Sequence, residues 1–210
     1  MEDERQEELD CLTAIFPEIT IDPQHPFTAS IELPVNPQDR VKVVFPVASD
    51  GITTAPPTPP RSTNGLENAE TPDIAPNVES HDLSYLPSLQ LHIELPFGYP
   101  SEEPPRFKLS TNPPWLSREH LDKLQASGEQ MWEEAGRGLV VYGFIDSLQQ
   151  AAENAFGFTE SGKSLEIPQD FKISLLDYDI KATQAAFEKE TFDCGVCLGR
   201  MTSIICFKHN

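Results

Sequence analysis

The stretch from Leu89 to Pro105, LQLHIELPFGYPSEEPP, places the tightest limits on the fold. Leu89, Leu91, Ile93 and Leu95 alternate with Gln90, His92 and Glu94, the period-two pattern of a strand with one buried face. The strand is then stopped abruptly. Pro96 removes a backbone donor, Gly98 permits a sharp change of direction, and Tyr99-Pro100 followed by Pro104-Pro105 holds the next segment in extended or turn geometry. A tyrosine in so stiff a loop can bury its ring and still satisfy its hydroxyl against nearby backbone.

Upstream, residues 2 to 16 read as a helix. Glu2, Asp3 and Glu4 suit the positive end of its dipole, Leu9, Leu12, Ile15 and Phe16 form an apolar stripe, and Pro17 ends it. Phe27, Ala29, Ile31 and Leu33 alternate with polar neighbours, as do Val41, Val43, Phe45 and Val47 beyond the turn-rich Pro34 to Asp39, so two hairpin strands are expected. From Ala48 to about Ser84 the composition shifts to Pro, Thr, Ser, Asn and acids, which cannot repay the entropy of ordering, and a disordered insertion (48–84) is expected. Within it, Pro56 to Arg61 has the make-up of a polyproline ligand, and Thr58-Pro59 and Thr71-Pro72 fit proline-directed phosphorylation. Plain linker is the preferred reading of all three.

Downstream of the turn, Phe107 and Leu109 supply a fourth, short strand. A helix is expected from near Ser117, with Leu121, Leu124, Met131 and Trp132 on one face, Gly128 a weak point and Gly136-Arg137-Gly138 a stop. A last helix runs from about Leu139 to Phe156. The Tyr99-Pro100-x-x-x-Pro104 turn, set in the order helix, four strands, helix, helix, resembles the RWD family over residues 1 to about 158. That resemblance implies an α+β fold, a four-stranded antiparallel sheet with flanking helices in the architecture of ubiquitin-conjugating enzymes, and a role in binding other proteins. Conjugating enzymes need a nucleophilic cysteine after this turn. None lies between Tyr99 and Cys194, and Cys11, among Leu9, Leu12 and Ile15, reads as an inert core thiol.

Residues 159–191 read as a linker carrying a helix at about 173–189, and residues 192–210 as a zinc segment. Three of the four cysteines fall in the last 17 residues, a distribution that suggests metal ligation rather than disulfides. Cys194-x2-Cys197 and Cys206-x2-His209 can close one tetrahedral zinc site by count, or form the first two ligand pairs of an incomplete RING, whose missing folding energy would be on the order of 10 kcal/mol per zinc. An RWD-like domain, a helical linker and Phe192-x-Cys194-x2-Cys197 are together similar to the N-terminal part of RWD-containing RING-between-RING ubiquitin ligases. In that family the first RING binds a charged ubiquitin-conjugating enzyme and a cysteine in a later RING accepts ubiquitin. No residue here matches that cysteine, and the eight-residue gap between the two pairs departs from the family's spacing. The expectation is therefore an inactive fragment of such a ligase, with a stand-alone RWD adaptor binding one zinc or none as the rival.

A formal charge of -19 works against nucleic acid and anionic membrane as partners and leaves proteins. With no run of 18 apolar residues and no signal peptide, a soluble cytoplasmic or nuclear protein is expected. Gly-x-Ser-x-Gly, phosphate-loop and His-Glu-x-x-His patterns are absent. His92 and His120 read as polar surface residues, and Glu102-Glu103 and Glu133-Glu134 as solvated charge.

Overall fold

The computed structural model describes residues 3–46, 78–159, 164–189, 191–193 and 200–202. Helix α1 (Glu4–Ile15) starts at Asp3, whose carboxylate accepts from the Arg5 N–H at 3.1 Å. Its buried face is Arg5, Glu8, Leu9 and Leu12, so the expected apolar stripe is rotated: Ile15 is 52% exposed, and Cys11, expected in the core, is exposed too. Successive helical residues turn by about 100°, which carries both off a face centred between Leu9 and Leu12.

Nine strands follow in the described residues: β1 (Thr20–Ile21), β2 (Thr28–Val35), β3 (Val41–Pro46), β4 (Val78–Leu83), β5 (Leu86–Glu94), β6 (Arg106–Thr111), β7 (Leu165–Glu166), β8 (Thr191–Asp193) and β9 (Arg200–Thr202). The expected four-stranded antiparallel sheet is present, in the order β1-β2-β5-β6, but β3 is not part of it. Strand β3 sits in a second sheet, β4-β3-β7, so β2 and β3 are not hairpin partners. They are consecutive pieces of one arm. The arm β2–β3 runs out and the arm β4–β5 runs back antiparallel beside it, with Val35 opposite Leu86 before a break and Val41 opposite Leu83 after it. Residues 36–40 therefore face only residues 84–85 across the break, and this surplus on one side bends the long hairpin into two sheets.

The expected insertion also ends earlier than its composition suggests. Residues 78–83 form β4, paired with β3 from Pro46↔Val78 to Val41↔Leu83, while residues 48–77 lie outside the described residues. Strand β4 carries little sequence signal, because only Val78 and Leu83 in it are large and apolar. Pairing to β3 and an edge contact of His81 on the Phe45 ring at 5.9 Å hold the rest.

Ala29, Ile31 and Leu33 of β2 and Leu89, Leu91 and Ile93 of β5 point to one buried side. Helix α2 (Arg118–Glu134) packs on β6 and α3 (Val141–Glu153) on β2, closing the core. Gly128, expected as a weak point of α2, is a packing requirement. A Cβ there would lie 2.4 Å from the Phe107 ring, which stacks on Phe144 at 4.0 Å. Helix α3 ends at Glu153, short of the expected Phe156, and Ala155 and Phe156 turn the chain with φ of 45° and 56°.

The segment expected to be a linker docks on the domain. Leu165 and Ile167 are buried, β7 adds in parallel to β3, and Leu175 of α4 (Lys172–Lys189) joins the same core. Asp179 of α4 accepts from the N–H groups of both Ser84 and Tyr85, at 2.8 Å each, at the bend of the long hairpin. Lys172 pairs with Glu79 of β4.

Candidate functional site

Tyr99 leaves β5 through the stiff turn and reaches the seam where α1 meets the start of α3. Its hydroxyl donates to the Glu8 carboxylate at 2.7 Å and accepts from the Val140 N–H at 3.0 Å. The other Glu8 oxygen accepts from the Val141 N–H at 3.0 Å. Val140 offers no side-chain cap of its own, so Glu8 and Tyr99 satisfy the first donors of α3 in its place. Both are buried. Burial pushes the Glu8 carboxyl above the ordinary range, with the bonds from Tyr99 and Val141 opposing. The Tyr99 phenol is pushed up by burial and by the neighbouring Glu8 charge, so it stays protonated and can donate.

The rest of the motif locks this corner. Pro100 follows a cis bond from Tyr99, is buried, and its carbonyl accepts from the Trp132 indole at 2.7 Å. The Gly98 carbonyl accepts from Glu102 and Glu103 N–H at 2.7 and 3.1 Å, an approach that a Cβ on Gly98, 2.9 Å from the Glu103 side chain, would crowd. Pro104, half-buried, leads into the buried Pro105 and β6. Next to the turn, the Arg5 guanidinium lies 3.7 Å over the Phe27 ring and 5.5 Å from that of Phe97, and bonds Asp3 through two nitrogens at 2.9 and 2.6 Å. Phe97 itself is 91% exposed.

This corner has the make-up of a support. Its carboxylate and phenol are satisfied by each other and by backbone, and neither faces an open cleft. The sequence marked Tyr99, Pro100 and Pro104 but missed Glu8, whose only local signal is its place beside Leu9 and Leu12 on the buried face of α1. His92 is exposed on the polar outer face of the sheet, bonded to Ser30 at 3.0 Å, and His120 bonds Ser117 at 2.7 Å. Cys194, Cys197, Cys206 and His209 lie outside the described residues. Among the described residues no three His, Cys, Asp or Glu side chains are grouped to hold a metal ion, and no helix is long and apolar enough to cross a membrane.

A proline-locked tyrosine between an antiparallel sheet and its flanking helices is the arrangement of an α+β domain, and the chain belongs to the RWD domain family, which matches residues 3–152. Among curated proteins it is similar to the E3 ubiquitin-protein ligase RNF14 of Danio rerio, 24% identical over 162 residues, covering 60% of this chain and 35% of that protein. It is similar to the E3 ubiquitin-protein ligase itt1 of Schizosaccharomyces pombe, 23% identical over 202 residues, 96% of this chain and 40% of itt1. Human RNF14 is 36% identical over 70 residues, 33% of this chain and 14% of that protein. The chain thus spans two fifths or less of the length of these relatives. No solved structure matches it.

Proposed function

We propose that this chain is the RWD interaction module of a RING-between-RING ubiquitin ligase, joined through α4 to the start of its first zinc-binding RING. The observation that carries the reading is the extent of the likeness to itt1. An alignment over 96% of this chain takes in the RWD domain, α4 and the Cys194-x2-Cys197 pair together. In this reading Cys194, Cys197, Cys206 and His209 supply zinc ligands, and a ubiquitin-conjugating enzyme docks on the RING of the longer protein. The RWD part selects the protein to be modified. It contributes no catalytic residue, since Glu8 and Tyr99 are spent on capping α3 and no cysteine lies between Cys11 and Cys194. The excess of acidic side chains supports protein partners over nucleic acid or membrane.

Ubiquitin, activating enzyme and conjugating enzyme incubated with this chain should give no ubiquitin chains. A longer protein with the full set of RING ligands should give them, and deleting residues 3–159 from it should abolish modification of its substrate while leaving self-modification. A reducible ubiquitin adduct on Cys11, Cys194, Cys197 or Cys206 would overturn this reading. Tight binding of one zinc that requires all four terminal ligands would favour a stand-alone adaptor instead.

A further inference from the structure

Three large apolar side chains stand half out of the surface around the seam that Glu8 and Tyr99 hold together: Ile15 at 52%, Leu139 at 50% and Tyr142 at 51% exposure. Two contacts of their chain neighbours set them along the same seam. Ile15 precedes Phe16, whose ring stacks on Tyr142 at 6.0 Å, and Leu139 precedes Val140, whose N–H bonds Tyr99 beside Glu8. Glu8 ties α1 to the first turn of α3 through the Val141 N–H, which holds the seam in this arrangement with the three side chains outside the core. A rigid apolar patch of this kind is what a docking site needs, since little ordering entropy is left to lose on binding.

The charge around the patch is mostly acidic, and its two cations are already paired. Residues 3–18 carry Asp3, Glu4, Glu7, Glu8, Asp10 and Glu18 against the single cation Arg5, which Asp3 already engages. Residues 137–153 carry Asp146 and Glu153 and one cation, Arg137, which pairs with Glu133 at 3.5 Å and lies over the Trp132 ring. By contrast the exposed Ile173 and Ile180 on α4 stand among both signs, Lys172, Asp177, Asp179 and Lys181, and have no such preference.

We propose that the α1–α3 seam is the partner-docking surface of this RWD domain, and that its occupant is a basic amphipathic helix. Leucine or aromatic side chains of that helix cover Ile15, Leu139 and Tyr142, and its Lys or Arg flanks face Glu4 and Glu7. The proposal rests on the interaction-module reading and gives it a surface and a partner chemistry.

The test is a titration of the isotopically labelled 210-residue chain with three synthetic helical peptides that share one Leu/Phe face and differ in flanks of Lys/Arg, Glu/Asp or Gln/Ser. The Lys/Arg peptide should move amide signals of residues 4–18 and 139–146. It should bind at least about tenfold tighter than the Glu/Asp peptide, a preference that shrinks as salt shortens the Debye length from about 10 Å toward 3 Å. Ile15→Ser with Tyr142→Ser, exposed positions that leave the Glu8–Tyr99 bonds in place, should weaken it about tenfold. Ile180→Ser on α4 should leave it unchanged. Signals that move on another face of the domain would overturn the surface while leaving the module reading intact, which fails separately if deletion of residues 3–159 spares substrate modification. Equal binding of the three peptides, binding that survives the double variant in a chain with unchanged signal dispersion, or no binding at all would each overturn the proposal.

Discussion

Through one hydroxyl Tyr99 satisfies two groups, one oxygen of the Glu8 carboxylate and the Val140 N–H. Tyr99→Phe keeps the ring and removes that hydroxyl, so it should cost about 1–3 kcal/mol, the range for stranding a buried polar partner, measured by denaturant unfolding. Glu8 sets a pH dependence of definite sign. Its folded pKa is raised by burial, so its contribution to stability is fully present below the unfolded value of 4.5 and is lost as pH rises through the folded value. The stability of the native chain relative to Glu8→Gln should therefore fall from acid toward neutral pH, and a difference that rises with pH would contradict the burial. Asp3, Asp22, Glu79 and Glu119, whose pKa values are lowered by hydrogen-bonded Arg5, His25, Lys172 and Lys123, act in the opposite direction, losing their contribution as pH falls. Glu8→Gln isolates Glu8 from them. Gly128→Ala sets helix propensity against space. The propensity gain is about 1 kcal/mol, but a Cβ 2.4 Å from the stacked Phe107 ring should reverse it and lower the thermal midpoint.

At the scale of elements, α4 is tied to the bend of the long hairpin by a single carboxylate serving two backbone donors. Asp179→Ala should destabilise by about 1–3 kcal/mol, because both N–H groups lose their partner. Asp177→Ala removes only an exposed pair with Lys181, and should change stability by less than about 0.5 kcal/mol in the same unfolding measurement. These ties explain what sequence reading could and could not reach. Strands β2 and β5 were legible because each keeps one apolar face within its own length. Strand β4 was not, since its support comes from β3 and from Lys172, which lies 93 residues away from Glu79. The docking of residues 164–175 was hidden for the same reason, because two buried residues in Leu165-Glu166-Ile167 are too few to mark a strand. Glu8 reads as one more acid on an acidic helix until Tyr99, 91 positions on, is placed beside it. The turn itself was legible because prolines restrict the backbone locally, wherever the partners lie.

Across the whole molecule, one path organises the rest: out along β2 and β3, back along β4 and β5, with α4 braced at the bend. The domain core and the helix leading toward the cysteine-rich segment are thereby parts of one packed body, since Leu165, Ile167 and Leu175 share a core with Leu89 and Phe144. Pro46 and Val78 face each other at the far end of the path, so residues 47–77 begin and end at neighbouring points. The connection between them is thus free to change length without moving either foot, because loop closure costs only about 0.6 kcal/mol per doubling. Replacing residues 47–77 by Asn-Gly, the pair suited to a two-residue hairpin, should leave the thermal midpoint of the domain within a few degrees. A collapse of the midpoint would show that the replaced residues brace the core. The same geometry makes this end of the molecule a natural graft site: a reporter whose own termini lie close together could be spliced between Pro46 and Val78, leaving α1, the Tyr99 corner and α4 in register.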